Sequence, residues 1–307
     1  ILGLKTGEKI RKKKYDDTLL LWMIPLFCAV AVFCYGPLFG WIYAFFEYQP
    51  GKPLTETSFV GLKYFIAMFT STKDAMNALK NTLVFSGLNI LASPIAVIFA
   101  IALTEVRSKR FKKTVQTVSS LPNFISWVLV YSLAFVFFSR EGFLNTILLE
   151  LGIIERPIDV LSNSKAVYLF QLFLNLWKTV GWTAIIYIAA ISGIDTELYE
   201  AAEIDGAGRW AKIVHVTIPG IMNTFVVMLL LAIGGIMNAG FEQYYVFSNP
   251  LITNEIEVLD TYVYKIGLGR GQYAFSVAVG MFKSVVSVVL LFAVNKLSKR
   301  ARGESII

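Results

Sequence analysis

The sequence predicts an all-α integral membrane protein of six transmembrane helices with both termini on the cytoplasmic side. Three observations predict it. Of 307 residues, 56% are hydrophobic and only 16% charged, and the mean hydropathy is +0.63, well to the apolar side of soluble domains. Apolar runs close to or beyond twenty residues recur along the chain, whereas a buried core helix needs only roughly ten to fourteen. Lysines and arginines gather beside the ends of those runs, where they set topology and meet lipid headgroups. A formal charge of +7 distributed in this way points to a membrane surface and not to nucleic acid. A soluble fold of this length would leave more apolar surface than one core can hide.

Apolar runs read against breakers place the spans at about Leu19–Phe46, Met76–Leu103, Val115–Phe138, Ala166–Ile191, Pro219–Met237 and Ala274–Leu297. The first run is too long for a signal-peptide core and no small-residue cleavage site follows it, so it is expected to stay as a membrane helix. Cys28 and Cys34 fall inside it and read as small hydrophobes, with no disulfide or metal framework implied. Gly36-Pro37 should kink or end the first helix and Pro94 should kink the second. Pro219 stands where a helix prefers proline, in the first turn of the fifth span.

Orientation follows from the basic residues outside the spans. One side collects Lys5, Lys9 and the run Arg11 to Lys14, then Arg107, Lys109, Arg110, Lys112 and Lys113, then Arg209 and Lys212, then Lys299, Arg300 and Arg302. The other side has a sparser set spread over longer loops, which puts both termini in the cytoplasm. Residues 1–75 then comprise an N-terminal segment, the first helix and the first outer loop. Residues 76–298 form a core of five helices, and 299–307 a cytoplasmic tail.

The connection 192–218 is cytoplasmic in this arrangement. Asp195 or Thr196 is a good N-cap, Glu197 to Ile204 favours helix with acidic residues near its start, and Gly206 and Gly208 stop it. Ala201 and Ala202 leave a low patch where another protein could approach the backbone, with Glu200 and Glu203 as charged handles beside it.

Residues 200–219 read EAAEIDGAGRWAKIVHVTIP. This resembles the EAA motif of ATP-binding-cassette (ABC) importer permeases: Glu200, Ala201, Ala202, Gly206, Val216, Ile218 and Pro219 match it at every gap. The stretches YGPLFGWIYAFFEY (35–48), SSLPNFISWVLV (119–130), GWTAIIYIAAISGIDTELYEAAEIDGAGRW (181–210) and LDTYVYKIGLGRGQYAFSVAVGMFKSVVSVVLLFAVN (259–295) look like the carbohydrate-uptake, LplB-type branch. Asn123 stands where the family pattern has His, a departure that bears on substrate and not on fold.

The resemblance implies a MetI-like, type I importer permease, multi-pass in a bacterial cell membrane, carrying an oligosaccharide or polysaccharide fragment. It implies that Glu200, Ala201, Ala202, Gly206 and Pro219 belong to the loop that couples to the ATPase. It also implies partners: a second, different permease, two ATPase subunits that hold ATP and Mg, and an extracytoplasmic solute-binding lipoprotein. No cofactor is expected on this chain.

Polar residues recur at helical spacing inside the spans: Thr82, Ser86, Asn89 and Ser93; Gln171, Asn175, Lys178 and Trp182; Ser276, Gly280, Lys283 and Ser287. Each set falls on one helix face. The third span adds Gln116, Asn123, Trp127 and Tyr131, and Glu242 to Tyr245 follow the fifth. Amides beside aromatic faces suit a sugar, whose hydroxyls need hydrogen bonds and whose ring faces stack. Such stripes equally serve helix packing in membranes, and both readings stand for the candidate path residues Asn123, Trp127, Tyr131, Asn175, Lys178, Trp182, Glu242, Tyr244 and Lys283.

No GxxxxGK[ST] phosphate loop, Ser-His-Asp set, HExxH or Cys/His cluster occurs, and His215, the one histidine, reads as a solvated loop residue. Catalysis by this chain is not expected, and ATP must be hydrolysed elsewhere. A stand-alone ion-coupled transporter would need inverted repeats and a buried acidic coupling residue, neither of which the sequence displays. A non-transporting membrane scaffold is a further alternative.

Overall fold

The computed structural model describes residues 17–70 and 73–302. Six stretches are helical, long and apolar enough to cross a membrane: Leu21–Phe45, Lys73–Thr104, Trp127–Glu150, Val167–Ser192, Arg209–Gly234 and Tyr273–Lys296. The expected basic N-terminal run and the end of the tail lie outside the described residues. Little of any apolar window is buried within the chain, and none of the first. A solvent other than water must therefore face Trp22, Phe33, Phe39, Leu91 and Ile98.

The first span keeps winding through its glycine and proline but changes pitch. The α-helix Asp17–Val30 passes into a wide π turn at Ala31–Tyr35 and then a tighter 3-10 helix at Gly36–Phe45. The second breaks at Ser93, between Lys73–Ala92 and Pro94–Thr104, as Pro94 requires. Against the fourth span, Ala96 and Ala100 meet Ala184 and Tyr187; the three alanines let the two backbones approach.

Two expectations are corrected. The third crossing is not one helix from Val115 to Phe138. Lys109–Ser120 is helical, Leu121–Phe124 is a 3-10 turn, and α-helix resumes only at Trp127–Phe138 with Ser126 as cap. Pro122 sits in the break. At about 1.5 Å per residue, the twelve residues of Trp127–Phe138 rise only about 18 Å, short of a roughly 30 Å hydrocarbon core.

Nor does Pro219 open the fifth helix. That helix begins ten residues earlier at Arg209, loosens into a π turn at Ile213–Thr217 and runs on through Pro219 to Gly234. The missing proline N–H falls where the ladder has already changed pattern.

Between the fifth and sixth spans the chain folds back into the bundle as short helices, Glu242–Phe247, Thr253–Ile256 and Leu259–Tyr264. The polar stripe of the second span holds them. Asn81 donates to the carbonyls of Asn254 (2.8 Å) and Glu257 (3.0 Å) and accepts from Tyr168 Oη (2.7 Å), while Thr82 Oγ1 accepts from the Leu259 amide at 2.8 Å. Phe85, Tyr244, Phe247, Val130 and Leu174 close over this region as one apolar cluster.

Candidate functional site

The break at residues 121–126 creates a problem for the bilayer. Non-helical backbone at membrane depth leaves carbonyls that no water can satisfy. Lys178 of the fourth span solves it. Its Nζ donates to the carbonyls of Pro122 (3.1 Å), Asn123 (2.9 Å) and Ile125. An ammonium has three N–H groups, so all of its donors are used by this loop. The residue is only 7% exposed, and its charge lies 5.5 Å from the centre of the Trp127 ring.

One turn further along the fourth span, Gly181 fixes the same junction. A Cβ there would stand 2.1 Å from the Ser119 carbonyl oxygen, so only glycine lets the two backbones meet. The result is a fixed discontinuity that turns two aromatic rings outward. Phe124 packs edge-on against Trp182 with centroids 5.5 Å apart; the two are 71% and 46% exposed. From Trp127 the sequence then presents aromatics at i, i+4 and i+8, namely Trp127, Tyr131 and Phe135, which stack along one helix face. Tyr131 touches Phe135 at 6.2 Å and Phe247 at 5.1 Å.

The remaining candidates occupy different settings. Asn175 donates to Asn89 Oδ1 at 2.9 Å, and Asn123 is half-buried. Glu242 is exposed and Tyr244 fully buried against Phe85 at 4.6 Å. Lys283 pairs with Asp260. Reasoning from the sequence missed Asn81, Asp260, Phe124, Gln243 and Gly181 as organisers. Their signal was a polar, aromatic or glycine residue on a path-side stripe, but their partners lie tens of residues away. Gln243 illustrates it, donating to both Gln171 oxygens at 3.0 and 2.9 Å.

At one end of the bundle stands a rigid elbow. The helix Thr196–Ile204 is capped by the Asp195 carboxylate, which accepts from the Glu197 amide at 3.0 Å. Gly206 ends it with φ of +78°, a conformation suited to glycine, and the Ala207 amide closes back on Ala202 O at 2.9 Å. Two side-chain links tie this elbow to the fifth span, and a third ties the fifth span to the second. Tyr199 Oη meets Thr217 Oγ1 at 3.0 Å, Lys212 reaches Glu203 at 3.2 Å, and Arg209 grips Glu105 through both its carboxylate (3.1 Å) and its carbonyl (2.7 Å). Glu200, Ala201, Gly206 and Pro219 are exposed and Ala202 is partly so. Around them Leu198, Ile204 and Trp210 stand in the open, Ile204 at 87%. His215 is exposed, with Nδ1 3.0 Å from Ala211 O.

Among the described residues no three His, Cys, Asp or Glu side chains come together as a metal site.

Comparison with known proteins completes the assignment. The family model "Binding-protein-dependent transport system inner membrane component" matches residues 92–303. Protein LplB of Bacillus subtilis (strain 168) is 38% identical over 295 residues, 95% of this chain and 92% of that protein. The polygalacturonan/rhamnogalacturonan transport system permease protein YteP of the same organism is 39% identical over 303 residues, 97% of this chain and 92% of YteP. The crystal structure of a bacterial alginate ABC transporter in complex with alginate pentasaccharide-bound periplasmic protein superposes with a TM-score of 0.86 at 33% identity, covering 95% of this chain and 98% of that one. The chain belongs to the inner membrane components of binding-protein-dependent transport systems, the permease subunits of ABC importers.

Proposed function

We propose that this permease passes an oligosaccharide fragment of a polysaccharide into the cytoplasm by alternating access, driven through the elbow at residues 192–218 by ATPase subunits. One observation carries the coupling half of this reading. Leu198 and Ile204 are large apolar residues left exposed on a short, capped helix, and Trp210 stands exposed at the start of the fifth span beyond it. An isolated chain hides such residues unless another protein covers them. Glu200, Ala201, Ala202 and Gly206 form the low, acidic patch beside them, and Pro219 lies just beyond the π turn. Movement of a partner against this patch is passed directly to the second and fifth spans through Arg209, Glu105 and Thr217.

The substrate half rests on the relatives, which include a polygalacturonan/rhamnogalacturonan permease and an alginate transporter, and on the exposed and half-buried aromatics around the broken third span. Phe124, Trp127, Tyr131 and Trp182 suit sugar ring faces, with Asn123 and Asn175 at their side. Lys178 holds this wall in place and has no donor left for the solute. Tyr244 contributes packing, whereas Glu242 stays open to a passage. A second, different permease is the natural partner for the unburied helix faces, with two ATPase subunits holding ATP and Mg and a solute-binding protein delivering the sugar.

The test is co-purification of the complex, followed by stimulation of ATP hydrolysis by a panel of oligogalacturonides, alginate oligosaccharides and neutral oligosaccharides with the binding protein present. Glu200→Lys or Gly206→Val should abolish stimulation while leaving membrane insertion intact. Normal uptake by both variants would overturn the coupling role.

A further inference from the structure

We propose that a cleft at the end of the bundle opposite the elbow is a receiving subsite for the leading sugar units of the incoming chain. Tyr131 and Phe135 form its platform and Arg140, Glu141 and Asp159 its polar rim. The proposal rests on the importer reading above and adds a binding site to it.

The cleft encloses about 810 Å³, inside the range of roughly 300–1,000 Å³ typical of small-molecule sites. Its position follows from the topology. The fourth span, Val167–Ser192, runs from this end of the molecule to the elbow, so the two sites are separated by a full crossing.

The walls come from three separate stretches of chain, and each is pinned. Buried Asn145 donates to the carbonyls of Ser139 (2.9 Å) and Ile158 (2.8 Å) and accepts from the Ile158 amide at 2.9 Å. Asn249 donates to Leu161 O at 3.1 Å and accepts from the Leu251 amide at 3.0 Å. Asp159 Oδ1 accepts from the Ser162 amide at 3.0 Å. Loops of this kind at a membrane surface are ordinarily mobile; here side-chain amides replace the missing ladder, and the cleft is preorganised.

What this leaves for a ligand is chemically selective. Arg140, Glu141 and Asp159 form no ion pair among the described residues, although all three line one cleft. Carboxylates and a guanidinium fork above an aromatic floor match a polyhydroxylated ring, which presents hydroxyl edges and a C–H face. The floor also leads somewhere. Phe135 touches Tyr131, and both share a helix face with Trp127, the first residue of the helix after the break.

The test uses the assembled transporter in lipid nanodiscs, with oligogalacturonides as the probe. Arg140→Gln together with Asp159→Asn removes two charges while preserving shape, and the asparagine keeps an oxygen for the Ser162 amide. Probe binding measured by calorimetry without ATP, and the KM for ATP-dependent uptake, should both worsen about tenfold, the size of one lost charge-assisted hydrogen bond, with kcat unchanged. Unaltered binding and KM would overturn the proposal. So would no measurable probe binding by the unmodified transporter, or weaker docking of the sugar-free binding protein as the sole effect of the substitutions, since the cleft would then be a protein-docking surface. Cleft-dependent binding of this probe without its uptake would leave the subsite standing and bring down the proposed substrate class instead.

Discussion

Replacing Lys178 with methionine should destabilise the permease at one defined place. Methionine fills a similar volume, so the main loss is three hydrogen bonds to the carbonyls of Pro122, Asn123 and Ile125. Polar contacts between membrane helices contribute roughly 0.6–1.7 kcal/mol each, and three of them amount to about 2–5 kcal/mol. Relief from burying the ammonium offsets part of this, which places the expected loss near 3 kcal/mol. Lys178→Arg should fall between the two, because a planar guanidinium cannot aim three N–H groups from one nitrogen.

Denaturation in mixed micelles would measure the loss. Limited proteolysis or cysteine labelling across residues 121–126 would show whether the segment loosens first. The reasoning fails if Lys178→Met leaves stability and labelling unchanged but abolishes uptake of anionic sugars alone. Lys178 would then be a solute contact and not a pin.

Other outcomes follow from the same geometry. Gly181→Ala should prevent stable folding, since its Cβ meets the Ser119 backbone at 2.1 Å, whereas Gly87→Ala, with nothing within 4 Å inside a helix, should leave the midpoint of a thermal-shift assay unchanged or raise it. Glu105→Lys or Arg209→Glu alone should lower sugar-stimulated ATP hydrolysis, and the double exchange should restore part of it, because a glutamate at 209 remakes the ion pair but cannot donate to the carbonyl at 105. Thermal stability should move by less than about 1 kcal/mol, because the pair is 38% and 60% exposed. Asp195→Ala should fray the elbow helix by about 1 kcal/mol, seen as faster amide exchange at Glu197 and its neighbours.

Much of the fold was legible because crossing lipid demands long apolar helices, and four of the six expected spans fall close to their observed positions. The elbow helix was legible too, since Asp195 and Gly206 are local signals that act within a few residues. The break in the third span was not. Its apolar character continues through Leu121–Phe124, and a hydropathy window cannot see that Pro122 interrupts the ladder there. Lys178 posed the complementary difficulty: periodicity places it on the inner face, but its three acceptors lie more than fifty residues back. Likewise the stripe that begins at Thr82 was visible, but its neighbour Asn81 and the chain the two hold, 254–259, were not. Local grammar reports which face is polar; only the folded chain says what it is polar for.

The wide turn at Ile213–Thr217 followed by Pro219 has a mechanical consequence. A helix with a relaxed coil and a missing rung in the same stretch is most compliant there. It sits between the part a motor would push and the part embedded in lipid. Torque applied at the inner end would therefore concentrate at this joint and leave the lower half of the rod straight, so the pivot of the stroke is set by backbone chemistry at five residues and one imino acid.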